Sequence, residues 1–294
     1  QMCIRDRAAP GAVAQRFRKW FLSACFRMTH PFDEAVALQR QTDGGWLGHT
    51  HTGYANMVGP FGGITAAQAL TAVLQHPDRL GEPVSFTVNF CAAVADGSFT
   101  LQARPVRTNR STQHWSVEML QDGQVVLTAT AVTAVRRETW SLDEEPMPAC
   151  PPPQDVLLPP VLAPMQFVRR YESRPLLGAL PQTWDGSGES SLSRLWVRDH
   201  PPRPLDFASL AAIADVFFPR VFIRRATPTP VGTVSMTVYF HASAEQLAAT
   251  GSGYLLGQAR AQAFRNGFFD QSSQLWNEAG VLLASTHQIV YYKQ

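Results

Sequence analysis

Two short segments of this chain carry residue types that could do chemistry. Asp215 directly follows Leu210-Ala211-Ala212-Ile213-Ala214, an apolar run that predicts a helix. A carboxylate in such a run is costly to bury without partners, and a partnered one can hold and deprotonate a water molecule. The other segment is Gly62-Gly63, at the start of an alanine-rich stretch that also predicts a helix. Amides at a helix start can stabilise negative charge on an oxygen, and glycine lets that oxygen approach the backbone.

The elements that would position these segments occur twice in the chain. In the first half a small-residue helix precedes a strand that reads V-S-F-T-V-N-F, and in the second half the corresponding strand reads V-S-M-T-V-Y-F. Three pairs of segments recur in the same order: Phe61–Leu70 and Asp206–Asp215, Val84–Phe90 and Val234–Phe240, and Gln124–Thr130 and Gly280–Thr286. This repetition predicts two copies of one unit, arranged as a tandem pseudo-dimer.

Composition divides the chain into two units and a connection. Eight prolines fall between residues 142 and 164, and they predict an extended linker over 141–164. The N-terminal unit is then 28–140 and the C-terminal unit 165–294. Each unit places one helix before a run of alternating strands, some of them joined by tight turns such as Asp122-Gly123. That order predicts an α+β class in which an antiparallel sheet wraps around a central helix.

The first residues differ from the rest of the chain in their charge. Residues 1–27 contain six basic side chains and a single acidic one, Asp6. A basic, acid-poor start is typical of a transit peptide. We favour a simpler interpretation, in which 1–27 is a non-native or disordered leader and the native protein starts at Met28. The segment is therefore excluded from the predicted fold.

Overall composition excludes several classes of protein. Hydrophobic residues make up 45% and charged residues 16%, as in globular domains. The net charge of +2 gives no reason to expect nucleic acid or a membrane as a partner, and no apolar run is long enough to span a bilayer. The four cysteines form no CxxC pair, which favours reduced thiols in the cytoplasm. His49, His51 and His114 lack metal-ligand spacing, so we expect no metal and no cofactor.

Several segments of the sequence together resemble the acyl-CoA thioesterase II family. The N-terminal marker is Phe61-Gly62-Gly63, which leads into the alanine-rich helix. The C-terminal markers are a helix ending in Ala214-Asp215, the strand from Thr233 to His241, and the segment from Gly280 to Gln288. The resemblance covers about residues 28–293. It implies a tandem double hot-dog, in which each half is an antiparallel sheet wrapped around a central helix.

The resemblance also implies an activity and a set of site residues. The family's members hydrolyse acyl-CoA to a free fatty acid and CoA, and their catalytic Asp, Thr and Gln bind the attacking water. These three fall on Asp215, Thr233 and Gln288. Acyl-CoA would be the partner, in the cytoplasm, and the double hot-dogs could assemble into a homo-oligomer. The segment 216–232 does not align closely with the family pattern, so the acyl group is left open.

Comparison of the two halves predicts a single site rather than two. When the two helical segments are aligned, Asp215 falls opposite Leu70, and Gly62-Gly63 falls opposite Phe207-Ala208. In a hot-dog pair the helices lie side by side, so one site would combine the Gly62 and Gly63 amides with the Asp215 carboxylate. The reciprocal site would lack both parts. Gln288 likewise has an apolar counterpart, which we assign to Val132.

Other interpretations of the same residues remain open at this stage. Gly62-Gly63 could mark only a turn or a close helix contact, and threonine is an ordinary strand residue. A protein of this fold could also bind acyl-CoA or another acyl thioester without hydrolysing it. A hot-dog hydratase would need a histidine close to its acid, whereas Asp215 is followed by Val216-Phe217-Phe218-Pro219-Arg220. We therefore favour the hydrolase.

Overall fold

The computed structural model describes residues 29–161 and 164–293, so the predicted leader lies outside the described residues. Thr52–Tyr54 forms a short 3-10 turn ahead of the first long helix. The other elements of the N-terminal half are α1 (Pro31–Ala35), β1 (Gln39–Arg40), β2 (Trp46–His49), α2 (Gly62–Leu74), β3 (Glu82–Phe90), β4 (Ser98–Thr108), β5 (Thr112–Gln121) and β6 (Gln124–Ala134).

The C-terminal half repeats this order without a counterpart of α1 and with two additional helices and one additional strand. After 3-10 turns at Pro153–Asp155 and Gln166–Arg170, its elements are β7 (Tyr171–Leu177), β8 (Ser193–Asp199), α3 (Phe207–Ile213), α4 (Arg220–Arg225), β9 (Val231–Phe240), α5 (Ala244–Thr250), β10 (Leu255–Arg260), β11 (Phe264–Arg265), β12 (Phe268–Asn277) and β13 (Leu282–Tyr292). The additional elements are α4, α5 and β11. The alternation of the sequence predicts a strand over Gln166–Glu172, but residues 166–170 form a 3-10 turn and the strand begins only at Tyr171. The sequence analysis also missed α4 and α5.

Helix α3 ends two residues before Asp215, whereas the sequence placed that residue within the helix. The Ala214 amide still donates to the Leu210 carbonyl at 3.0 Å, as in an α-helix. The Asp215 amide instead donates to the Ala212 carbonyl at 3.1 Å, which tightens the chain into a 3-10 type turn. Asp215 therefore lies on the turn that leaves the helix.

In the described residues the strands form one sheet in the order β1-β2-β4-β5-β6-β3-β9-β13-β12-β10-β8-β7, with β11 paired to β12. Every neighbouring pair is antiparallel. At the centre, β3 pairs with β9 so that Thr87 lies directly opposite Thr237, and their hydroxyl oxygens are 3.0 Å apart. The strand orders on either side of this pair mirror each other, which confirms the predicted tandem double hot-dog.

The two central helices pack against each other inside the curved sheet. Ala66, Ala67, Ala69 and Ala72 of α2 are all 0% exposed. Their small side chains let the sheet approach the helix closely, as interior packing density requires. Gly63 makes the closest contact with α3, since a methyl group built on it would lie 2.5 Å from the Ala212 carbonyl oxygen.

The proline-rich linker packs on the outer face of the C-terminal half. Trp196 donates its indole N–H to the Pro151 carbonyl at 2.9 Å, and Trp276 donates to the Glu145 carbonyl at 3.2 Å. Both indole rings are buried. Extended proline-rich backbone makes no internal hydrogen bonds, so its carbonyls are available to these donors. The segment therefore covers a tryptophan pair as well as connecting the halves.

We expect that neither half folds alone, because each contributes one strand to the β3–β9 pair and one helix to the α2–α3 contact. Fragments 28–140 and 165–294 should be insoluble or uncooperative in thermal unfolding followed by circular dichroism. Their co-expression is the matched control and should restore a soluble complex. Two separately soluble, monomeric and cooperatively unfolding fragments would contradict this prediction.

Candidate active site

The Asp215 carboxyl lies where the end of α3 meets the start of α2. Its Oδ1 accepts a hydrogen bond from Gln288 Nε2 at 2.9 Å, and the Gly63 backbone amide also donates to this carboxyl. A methyl group built on Gly62 would lie 2.9 Å from Asp215 Oδ2. Four of the predicted residues therefore meet at one point, with Asp215 and Gln288 from the second half and the two glycines from the first.

The start of α2 leaves amide groups free for this arrangement. Phe61 is the N-cap residue and provides no side-chain hydrogen bond. The first backbone bonds of the helix run from the Ile64 and Thr65 amides to the Phe61 carbonyl, at 3.2 and 3.3 Å. The Asp215 carboxylate therefore caps the N-terminus of α2 from another segment of the chain, where it meets the positive end of the helix dipole.

The protonation of Asp215 is set mainly by burial. Its side chain retains some exposure, but dense surrounding protein desolvates the carboxyl and raises its pKa to about 7. The hydrogen bonds from Gln288 and Gly63 favour the ionised form and lower the pKa in part. A carboxyl group that titrates near neutral pH is well matched to general base catalysis.

Gln288 occupies the inner face of β13. It lies opposite Met236 of β9, and its Nε2 is 3.4 Å from the Met236 sulfur. In the first half, Phe86 corresponds to Met236 and lies opposite Ala131. The counterpart of Gln288 is therefore Ala131, and the assignment to Val132 was wrong. The reason is that Gln288 lies 17 positions after its β12 partner Gln271, whereas Ala131 lies 16 positions after its β5 partner Trp115.

Thr233 shares the inner face with Gln288 because of a β-bulge. The register of β9 against β13 shifts so that Val290 pairs with Thr233 and leaves Val234 unpaired. Cross-strand partners point to the same side of a sheet, so Thr233 points with buried Val290 towards the interior. Within the described residues, the Thr233 hydroxyl makes no hydrogen bond to Asp215 or Gln288. The structure thus places Thr233 on the same face as Gln288 and without a hydrogen bond to it.

A second, reciprocal site would combine the start of α3 with the α2 position that aligns with Asp215. Both of these places differ from their counterparts in the first site. Helix α3 begins with Phe207 and Ala208, which are buried, and its N-cap Asp206 accepts from the Ser209 amide at 2.8 Å. Leu70, which aligns with Asp215 in the sequence, is 0% exposed in α2. This helix start is capped by its own side chain, and its Ser209 hydroxyl donates to the buried Asp199 carboxyl. The aligned positions therefore carry neither the glycines nor the acid found around Asp215.

Two buried charged side chains near the site were missed by the sequence analysis. Arg220 is 0% exposed and donates to backbone carbonyls that include Phe218 at 2.9 Å and Ala259 at 3.2 Å, and burial lowers its pKa to about 9. It holds the segment after Asp215 against the sheet. Asp199 accepts from the Ser209 hydroxyl, and burial raises its pKa to about 6. An isolated arginine or aspartate gives no sequence signal of such burial.

We expect Gln288→Ala to lower turnover by about tenfold, since one orienting hydrogen bond to the base is lost. Its loss should also move the pKa of Asp215 further upwards, because that bond favours the ionised form. The rising limb of the pH–rate profile should therefore shift to higher pH. Gln274→Ala, on the outer face of β12, is the matched control. An unchanged profile in folded Gln288→Ala would contradict the contact.

Residues 29–161 and 164–293 contain no cluster of three or more His, Cys, Asp or Glu that could hold a metal ion. The same residues form no helix of the length and apolarity needed to cross a bilayer.

Family models and solved structures both match this chain. Residues 51–134 match the model of the acyl-CoA thioesterase N-terminal domain, and residues 141–292 match that of the C-terminal domain. A conserved protein of unknown function with a hot dog fold, from Alicyclobacillus acidocaldarius, is 48% identical, with a TM-score of 0.86 over 90% of this chain and 99% of that one.

More distant structures share the fold. An acyl-CoA thioesterase II from Mycobacterium marinum is 19% identical, with a TM-score of 0.69 over 89% of this chain and 98% of that one. A tesB protein from Mycobacterium avium subspecies paratuberculosis is 18% identical, with a TM-score of 0.72 over 90% and 98%. A search among curated proteins finds no match.

Proposed function

Because the chain belongs to the acyl-CoA thioesterase family, we propose that it hydrolyses acyl-CoA to a free carboxylic acid and CoA. The observation that carries this proposal is the Asp215 carboxyl, which is held by Gln288 from one half and by the start of α2 from the other. Water attack on a thioester needs a base that takes a proton from the water and donors that stabilise the oxyanion. A carboxyl of this pKa beside free helix amides can supply both.

In the proposed mechanism Asp215 is the general base. A water oxygen attacks the thioester carbonyl carbon while Asp215 takes one of its protons. The C–S bond then breaks, and the sulfur leaves as a thiol with that proton. The acid product ionises and releases one proton to solvent. No covalent bond between enzyme and substrate forms in any of these steps.

The remaining site residues hold the water and the carbonyl oxygen. Gln288 donates from its Nε2 to Asp215, which leaves its Oε1 free to accept from the water. Thr233, on the same face, would provide a hydroxyl to the same water once substrate is bound. The Gly63 amide is used by Asp215, so the Gly62 amide is the better donor to the developing oxyanion. This refines the sequence expectation, which gave both glycines the same role.

The free cysteines bear on the cellular location of the protein. Cys91 and Cys150 are free thiols, and Cys91 is exposed. Exposed thiols persist in a reducing compartment, so we infer that the protein acts in the cytoplasm. Assembly of double hot-dogs into a homo-oligomer remains a prediction, to be measured by analytical ultracentrifugation.

Free thiol release from a panel of acyl-CoAs, detected with DTNB, tests the proposed function. The panel should run from acetyl- to palmitoyl-CoA, with heat-denatured protein as the blank. Enzyme-dependent release that Asp215→Asn abolishes would support a hydrolase. Tight acyl-CoA binding without thiol release would favour the alternative, a non-catalytic acyl-thioester binding protein of the same fold.

A further inference from the structure

A cavity of about 460 Å³ opens beside the start of α2. The segment 50–60 forms one wall and the loop between β3 and β4 forms the other. Its lining includes the apolar residues Ala55, Val58, Pro60, Ala93, Val94 and Ala95. The volume lies within the range of small-molecule sites, which are about 300–1,000 Å³. None of these residues belongs to the group around Asp215.

The cavity is close enough to Asp215 to share one ligand with it. Pro60 precedes Gly62 by two positions, so their Cα atoms are at most about 7 Å apart. Gly62 borders the carboxyl, and a methyl group built there would lie 3.4 Å from the Phe90 ring at the end of β3. The chain that forms the cavity wall therefore continues directly into the proposed oxyanion site.

The chemistry of the cavity favours an apolar chain over the CoA moiety. Among the residues that the structure describes, its lining contains no Arg or Lys that could meet a phosphate, and its carboxylate, Asp96, accepts a hydrogen bond from Thr50. His51 is already engaged, because its Nδ1 accepts from the Gly53 amide at 3.0 Å. Polyanionic CoA would be repelled by Asp96, whereas a hydrocarbon chain would meet alanine, valine and proline side chains.

Exposed apolar side chains at the mouth of the cavity provide an independent observation. Met57 is 70% exposed and Val58 is 74% exposed. They are adjacent in the loop that ends at Gly59, whose φ of +66° turns the chain back towards Val94. Neighbouring exposed apolar residues at a cavity mouth are typical of a ligand-binding surface. A bound hydrocarbon chain would cover them.

We propose that this cavity binds the acyl chain of the thioester and sets the chain length that the site accepts. The inference rests on the proposed function. The thioester carbonyl would lie at Gly62 and Asp215, and the hydrocarbon would extend past Pro60 between the two walls. The CoA end would then leave on the opposite side of the carboxyl.

Filling the cavity tests this assignment. Ala93→Phe and Ala95→Phe place a ring at two exposed lining positions, where the fold should tolerate it. The matched control is Ala92→Phe, since Ala92 is an exposed neighbour that does not line the cavity. For each protein, kcat/KM is measured from acetyl- to palmitoyl-CoA. Dodecanoate and butanoate binding is measured in parallel by calorimetry, because it requires no turnover.

For at least one of the two variants we expect long-chain kcat/KM to fall tenfold or more, with acetyl-CoA unchanged. A buried methylene contributes about fourfold in affinity, so the loss of two or more gives an effect of this size. Dodecanoate binding should weaken to match, and Ala92→Phe should behave like the wild type. If both variants keep the wild-type chain-length profile, or lose activity equally at every length, the assignment is wrong while the proposed function stands.

The hydrolase proposal can also be wrong while the cavity assignment is right. If the wild type hydrolyses no acyl-CoA but binds dodecanoate, and Ala93→Phe or Ala95→Phe removes that binding, the cavity assignment stands and the hydrolase is wrong. If the wild type neither hydrolyses acyl-CoA nor binds dodecanoate, both are overturned.

Discussion

Asp215→Asn is expected to lower kcat for acyl-CoA hydrolysis by about 10²-fold or more, the usual cost of losing a general base. The replacing amide keeps the shape of the carboxyl and can still accept from Gln288 through its carbonyl oxygen, but it cannot take a proton from water. Substrate binding should change little. Turnover in the DTNB assay and acyl-CoA affinity by calorimetry separate the two quantities. A folded variant with wild-type turnover would remove Asp215 from the mechanism.

The same substitution should stabilise the fold at high pH. Burial raises the folded-state pKa of Asp215 to about 7, from a usual 3.8. The folded state therefore binds more protons than the unfolded state between these values, and the wild type loses stability as pH rises towards 7. The Tm of Asp215→Asn should exceed that of the wild type at pH 8 by more than it does at pH 4. An equal difference at both pH values would contradict the raised pKa.

Gly62→Ala is expected to lower kcat by about 10²–10³-fold, in the range for losing one oxyanion donor. Its methyl group would lie 2.9 Å from Asp215 Oδ2, closer than ordinary contact. The group would displace the base and cover the Gly62 amide, while its other near contact, with the Phe90 ring at 3.4 Å, is tolerable. Turnover should therefore fall much more than thermal stability.

Gly63→Ala is the comparison variant, because its methyl group would meet helix α3 and not the Asp215 carboxyl. It would lie 2.5 Å from the Ala212 carbonyl oxygen of α3 and would also contact the Phe61 ring. Backbone cannot move aside cheaply, so we expect a loss of stability of about 1–3 kcal/mol, typical of overpacking. Thermal unfolding and turnover are measured on both variants. Wild-type turnover in folded Gly62→Ala would leave that glycine as a packing residue only.

The sequence by itself determined the fold class and the pairing of the halves. Strand alternation and the repeated V-S-x-T-V motif are local signals, and they survive in the structure as β3 and β9, paired about Thr87 and Thr237. The alanine-rich stretch likewise predicted a helix, which the structure forms as α2. The sequence also singled out Asp215 as a candidate site residue, because a carboxylate within an apolar run is costly to bury without partners.

Only the tertiary structure decided how the site residues meet. A bulge at Val234 directs Thr233 inward, and one residue more between Gln271 and Gln288 than between Trp115 and Ala131 makes Ala131 the counterpart of Gln288. Both depend on strand register, and a shift of one residue moves every side chain to the other face. The bond from the Gly63 amide to Asp215 joins positions from different halves. No local pattern encodes it, because it follows from the packing of α2 against α3.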